Sequence, residues 1–207
     1  MTLNWAAFLN EVGNYQVNVV DSGPGALRGY LANIKKVSSR DLEFDAAFAP
    51  AEDFSGYLSG AWTEGKYDSF SNGPCPLELT GNSTTSCDLS GRPLPGLSRW
   101  SLSGGAEYRF SVPVFDSTGY FGVDASYRSA AYSDASDSKY LRIGSYSLLN
   151  LRAGVVTAAN WEVFVWAKNV FDTHYFQYIQ AQTGNSGAVF GLAGDPRTVG
   201  ITARVRY

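Results

Sequence analysis

Apolar and polar residues alternate along most of this chain with a period of two. At its end, Val199, Ile201, Ala203, Val205 and Tyr207 occupy every second position, with Thr198, Gly200, Thr202, Arg204 and Arg206 between them. Successive side chains of a β-strand point to opposite faces, so one face of this last strand is apolar and the other polar or small. The dyad recurs upstream. Trp100, Leu102, Ala106, Tyr108 and Phe110 oppose Ser101, Ser103, Glu107 and Arg109. Phe121, Val123, Ala125 and Tyr127 oppose Gly122, Asp124, Ser126 and Arg128. Leu149, Leu151, Ala153 and Val155 oppose Asn150, Arg152 and Gly154, and Trp161, Val163, Val165 and Ala167 oppose Glu162, Phe164, Trp166 and Lys168.

Nine strands are expected from this pattern. The first spans about Thr2 to Leu9 and closes in a turn at Glu11-Val12-Gly13-Asn14; the second spans about Tyr15 to Val20, before Asp21-Ser22-Gly23-Pro24-Gly25. The third runs from about Tyr30 to Ala49, and a fourth begins at Phe54. Ser71 to Gly96 then reads as loop, holding half of the chain's 8 prolines. The later connections alternate between short turns, at Pro113–Ser117 and Thr157–Asn160, and long polar stretches, at Ser133–Lys139 and Asp172–Asp195. Strands long enough to cross a bilayer at a tilt, with short turns at one end and extended loops at the other, make a transmembrane β-barrel. A soluble sandwich needs an apolar inner face to bury as its core. Here the face opposite the apolar one carries Asp45, Glu107, Arg109, Asp124, Arg128, Arg152, Glu162, Lys168, Arg204 and Arg206, and must meet water.

Composition narrows the partners. Tyr is present 13 times and Gly 22 times, as suits girdled β-structure. A net charge of -3 with scattered Lys and Arg argues against nucleic acid. No run approaches the ~18 apolar residues of a transmembrane helix. The start has no basic segment, apolar run and cleavage site, so no export signal is read there. The expectation is that Met1 is not the start of the complete protein.

Several segments resemble the C-terminal part of TonB-dependent outer-membrane receptors. Asn169-Val170-Phe171-Asp172 with Tyr175 is similar to the family's Asn-Leu-Phe-Asp segment, and Asp195-Pro196-Arg197-Thr198-Val199-Gly200 to its lead-in to the last strand. Ser39-Arg40-Asp41-Leu42-Glu43 is similar to a Ser-Arg-Gly-hydrophobic-Glu segment, with Asp41 where Gly is usual. Tyr207 matches the terminal aromatic that serves as the barrel-assembly signal. The resemblance implies an all-β fold in which residues 1–207 form the C-terminal part of a barrel of about 22 strands, with the plug domain and signal peptide absent from this sequence. It implies a receptor in the outer membrane of a Gram-negative bacterium, taking up a scarce nutrient such as a ferric siderophore, cobalamin or glycan. The implied partners are outer-membrane lipid, the TonB system through the plug, the barrel-assembly machinery and a small-molecule nutrient. No cofactor and no enzymatic activity are implied. A small passive pore, an adhesin barrel and a soluble β-sandwich binding module are the rival readings.

Candidate sites are few. Cys75 and Cys87 share one long loop and read as a disulfide of an oxidising compartment; no His or third Cys lies near them to make a metal site. His174, the sole histidine, lacks a nucleophile motif, so neither catalytic nor metal residues are assigned. The loop aromatics Tyr132, Tyr175, Phe176, Tyr178 and Phe190 are candidate ligand contacts. The inner-face arginines Arg128, Arg152, Arg204 and Arg206 could attract an anion, with lumen ion pairs as their commoner role.

Overall fold

In the computed structural model the described residues are 1–21, 28–79, 86–113, 116–182 and 188–205. They contain twelve strands. These are β1 (Thr2–Asp21), β2 (Arg28–Ala51), β3 (Phe54–Ser69), β4 (Trp100–Val112), β5 (Ser117–Arg128), β6 (Ala131–Tyr132), β7 (Arg142–Ile143), β8 (Tyr146–Thr157), β9 (Trp161–Lys168), β10 (Phe176–Ala181), β11 (Val189–Ala193) and β12 (Thr198–Val205). One antiparallel sheet of eight strands runs β1-β2-β3-β4-β5-β8-β9-β12; β6–β7 and β10–β11 form two small hairpins inside long connections. No described helix is long and apolar enough to cross a membrane.

The register locks the dyads of neighbouring strands in phase. Ile201, Val165, Ala153, Phe121 and Tyr108 form one cross-strand row, and Gly200, Trp166, Arg152, Gly122 and Glu107 form the next. The first row is apolar and open: Ile201 is 72% exposed and Val165 54%. Among the described residues no second sheet covers this face, which a β-sandwich would require. The second row faces the concave side. Asn4 of β1 and Tyr146 of β8 border a single cavity although four strands separate theirs, so the sheet curls around that side.

The main sheet has eight strands rather than nine because the expected turn at Glu11–Asn14 is absent. β1 pairs with β2 without a change of register from Thr2↔Ala47 to Asp21↔Arg28. Gly13 and Asn14, the latter at φ 53°, serve another purpose. Below them the even positions Asn4 and Ala6 line the concave cavity; above them the odd positions Tyr15, Val17 and Val19 join a buried cluster. On β2, Ile34 and Val37 enter the same cluster despite their odd spacing. A left-handed residue inside a paired strand therefore switches which face carries the apolar side chains.

β1 and β2, at 20 and 24 residues, exceed the ~9–11 residues that a tilted transmembrane strand needs. Their excess lies at the long-connection end. There Val19, Ile34 and Val37 pack with Tyr67, Phe70, Leu89, Leu94 and Ala135. The Ser71–Gly96 segment is thus more than a loop: it supplies Leu89 and Leu94 to this cap, and Cys75 and Cys87 are joined there by a disulfide beside the Gly73↔Cys87 bridge. A second cluster places Leu141 against Ile179 and Ala181 of β10. The buried core of the molecule is its cap, above the spanning sheet.

The cap also holds acids. Burial opposes ionisation of Glu78, yet the Ser138 hydroxyl (2.6 Å) and the Lys139 amide (3.1 Å) donate to its carboxylate and hold it below the usual range. Burial raises Asp134 against the hydrogen bonds from Ser136. Burial also pushes Asp137 up to about 6, with the Arg92 guanidinium opposing and Asp134 adding to the rise; its Oδ1 is buried without a partner among the described residues. An acid whose folded pKa lies above its unfolded value near ~3.9 binds more protons when folded, so stability falls as pH rises between the two values.

Two outcomes follow from these faces and groups. Opening of the Ser136–Leu141 segment, read by amide hydrogen exchange corrected for intrinsic rate, becomes easier from about pH 4 to about pH 6. Asp137→Asn, which tolerates the φ of 54° at this position, makes that slope shallower; an unchanged slope contradicts the assignment. In the sheet, Ile201→Arg reduces the heat-modifiable folded form, since a charge on a lipid face near mid-membrane costs ~2–4 kcal/mol. Thr202→Arg, on the concave side, is far better tolerated. Equal damage from both contradicts the facing.

Candidate functional site

Arginine on the concave face reaches across strands because glycine stands between. A Cβ on Gly122 would lie 2.7 Å from the Arg152 guanidinium carbon. With none there, Arg152 of β8 pairs both with Asp124 of β5 and, at 3.1 Å, with Glu107 of β4. Glu107 also binds Arg109 (2.9 Å), and the Tyr57 hydroxyl donates to Asp124 (3.0 Å). Towards the short-turn end, Glu162 accepts from the Tyr120 hydroxyl (2.9 Å) and from Arg204 (3.1 Å). The Trp166 ring lies where a side chain at Gly200 would sit, and its indole N–H donates to Thr202 (3.1 Å). Lys168 Nζ lies over that ring, 5.5 Å from its centroid. The body of the lumen wall is therefore internally neutralised.

The mouth differs. At the long-connection end the concave side holds a cavity of about 870 Å³. Its floor is small and hydroxylic: Ser59, Ala61, Ser101, Ser103 and Ser126. Glu43 and Asp45 of β2 stand on one side; Arg128 and Tyr146 stand on the other, with Tyr175 and Gln177 from the β9–β12 connection. Asp45 accepts from the Asn4 amide at 2.7 Å. Tyr146 and Tyr175 stack with ring centroids 4.2 Å apart and planes 23° from parallel.

The motifs near the end of the chain explain how Tyr175 is placed. Asn169 and Asp172 have positive φ, 48° and 52°, which turns the chain sharply out of β9. The Asn169 side chain donates to the carbonyls of Thr173 and Asp195 (both 3.0 Å) and accepts from the Thr173 amide (2.9 Å). Asp172 accepts from the Arg197 amide (2.8 Å); that bond, with the Arg197 and His174 charges, holds its carboxyl below the usual range. Asn169, Asp172 and Arg197 thus staple the two ends of the long connection together just before β12. The Tyr175 ring then covers Gly194, where any Cβ would collide with it.

Of the loop aromatics singled out from the sequence, Tyr175 borders the cavity. Phe176, Tyr178 and Phe190 lie on the β10–β11 hairpin, 47%, 43% and 52% exposed. The Asp172–Asp195 stretch is thus partly strand, because Ile179 and Ala181 find a core at Leu141. Tyr132 lies in β6, half-buried, its carbonyl accepting from the Gly96 amide. Arg206 and Tyr207 fall outside the described residues. Tyr146 was not among the sequence candidates; carrying the parity of Asn150 and Arg152 back along the same strand would have put it on the inner face. His174 sits beside Asp172, and among the described residues no group of three His, Cys, Asp or Glu side chains is placed to hold a metal. The cavity thus brings hydroxyl, carboxylate and guanidinium groups beside a stacked aromatic pair.

Relatives share this architecture. The family model described as TonB dependent receptor-like, beta-barrel matches residues 1–170. The ferric yersiniabactin uptake receptor FyuA from Yersinia pestis superposes with a TM-score of 0.74 at 18% identity, over 98% of this chain and 27% of that receptor. The siderophore receptor PiuA from Acinetobacter baumannii superposes with a TM-score of 0.65 at 17% identity, over 97% of this chain and 25% of that receptor. No match was found among curated proteins. The chain spans about a quarter of the length of the solved receptors on which it superposes. A two-solvent antiparallel sheet, a stapled lead-in to its last strand and a family match over most of its length agree: the chain belongs to the TonB-dependent receptor-like β-barrel family.

Proposed function

We propose that this chain is a wall segment of an outer-membrane receptor that captures a ferric siderophore at its mouth and imports it with energy delivered through TonB. The observation that carries the reading is the contrast along the concave face: ion-paired in the body, and open at the mouth, where among the described residues the Arg128 and Glu43 side chains have no partner. The similarity of the fold to two siderophore receptors supports the choice of cargo over cobalamin or glycan. In this reading the convex residues meet outer-membrane lipid of a Gram-negative bacterium, and further strands pair with the edges of β1 and β12. A plug domain elsewhere in the receptor takes up the TonB signal. Tyr207 is the residue handed to the barrel-assembly machinery. Cys75–Cys87 braces the cap outside the cell. No reaction is assigned to any residue.

The test is uptake by the full-length receptor in an iron-starved outer-membrane host lacking its own ferric receptors. Radioiron enters as a siderophore complex, and a protonophore or loss of TonB abolishes entry; removing Tyr207 lowers the level of folded receptor without changing synthesis. Entry that persists without TonB identifies a passive pore and contradicts the proposal, as does failure to take up any ferric complex.

A further inference from the structure

The cavity at the mouth carries two opposite charges that the fold keeps apart. Glu43, Ala61, Ser101, Arg128 and Tyr146 form one cross-strand row on β2, β3, β4, β5 and β8. Arg128 is thus three strands from Glu43, about 14 Å along the sheet at ~4.8 Å per strand, beyond ion-pairing reach. Ala61 and Ser101 between them are too short to bridge the gap. Among the described residues, neither the Arg128 nor the Glu43 side chain makes a hydrogen bond or ion pair. That separates Arg128 from Arg109, Arg152 and Arg204, whose guanidinium groups are each taken by carboxylates. On β5 and β8 this row is the last before their connection, since β5 ends at Arg128 and β8 begins at Tyr146.

We propose that Arg128 and the Tyr146–Tyr175 stack form the subsite that binds the oxyanion of the incoming ligand, a carboxylate, phenolate or catecholate on a planar group. The inference rests on the proposed function and adds the ligand's charge, its orientation and the residues that read them. A guanidinium offers a planar fork of donors that pairs an oxyanion through two parallel hydrogen bonds. Its cross-strand partner Tyr146 is already stacked by Tyr175, so a flat, rigid aromatic surface stands beside the fork at little conformational cost. The small floor leaves room for the body of the ligand. Glu43 and Asp45 on the opposite wall repel an anion there and accept from hydroxyl or ammonium donors, which orients the ligand with its negative group towards β5.

The experiment uses the full-length receptor, purified folded, in equilibrium dialysis against three radioiron probes. Ferric citrate and ferric enterobactin are anionic, and ferric desferrioxamine B is cationic. Wild-type receptor binds an anionic complex in preference to the cationic one. Arg128→Gln weakens that binding about tenfold or more, as loss of a charge-assisted hydrogen-bond pair does. Arg128→Lys restores part of it, and Tyr146→Leu weakens the catecholate complex more than the citrate complex. Unchanged affinity in Arg128→Gln, or a wild-type preference for the cationic complex, overturns the subsite while leaving siderophore uptake standing. Loss of folded receptor in Arg128→Gln without loss of affinity makes Arg128 a partner of another part of the protein and likewise overturns it. Failure of wild-type receptor to bind any of the three overturns the proposed function, and the subsite with it.

Discussion

A backbone amide in hydrocarbon has no water to bond, so each N–H and C=O that spans the membrane must be paired within the sheet. The rest of this molecule is arranged around that demand. Eight strands pair in sequence order wherever short turns permit, and the long connections return to the neighbouring strand position, as in β5–β8 and β9–β12. The long connections bond within themselves as β6–β7 and β10–β11 hairpins, outside the spanning rows. The edges of β1 and β12 carry the same demand, and in a bilayer it is met only by pairing with another strand.

Once the backbone is satisfied, side chains face two solvents, and the two faces use glycine differently. On the convex face Phe44 and Leu102 spread over Gly60, and Phe110 over Gly119, making a smooth apolar surface. On the concave face Gly122 lets one arginine join carboxylates from two other strands. Charges so matched cost little at a wet wall and hold neighbouring strands in register, whereas exposed pairs in isolation contribute at most about 1 kcal/mol each. A wall neutralised through its body leaves specific attraction to its rim, where the Glu43 and Arg128 side chains have no partner among the described residues.

The dyad was legible from residue identity alone because the two solvents impose it at each spanning position; Val199 to Val205 and Leu149 to Val155 read directly as strands with assigned faces. The β1 strand did not. Gly13-Asn14 carries the local chemistry of a turn, and only the pairing of Gly13 with Lys36 shows that the left-handed step is absorbed inside a hairpin. The Ser71–Gly96 segment read as loop because its prolines exclude strand, whereas its packing depends on Tyr67 and Val37, distant in sequence. The hairpin at Phe176–Ala193 was hidden for the same reason: Ile179 is a core residue only once Leu141 is beside it. At the mouth, the sequence marked Tyr175 and Arg128 separately. Their association needs the staple of Asn169, Asp172 and Arg197, a tertiary contact that no local pattern encodes.

The central claim is that one face of this sheet meets lipid and the other water. Site-directed spin labels placed one at a time from Leu148 to Val155 of the full-length receptor in bilayers test it directly, through relaxation by oxygen and by a polar nickel chelate. Oxygen accessibility should peak at 149, 151, 153 and 155, and nickel accessibility at the positions between them, with opposite phase and a period of two. In-phase profiles, or none with that period, would contradict the account.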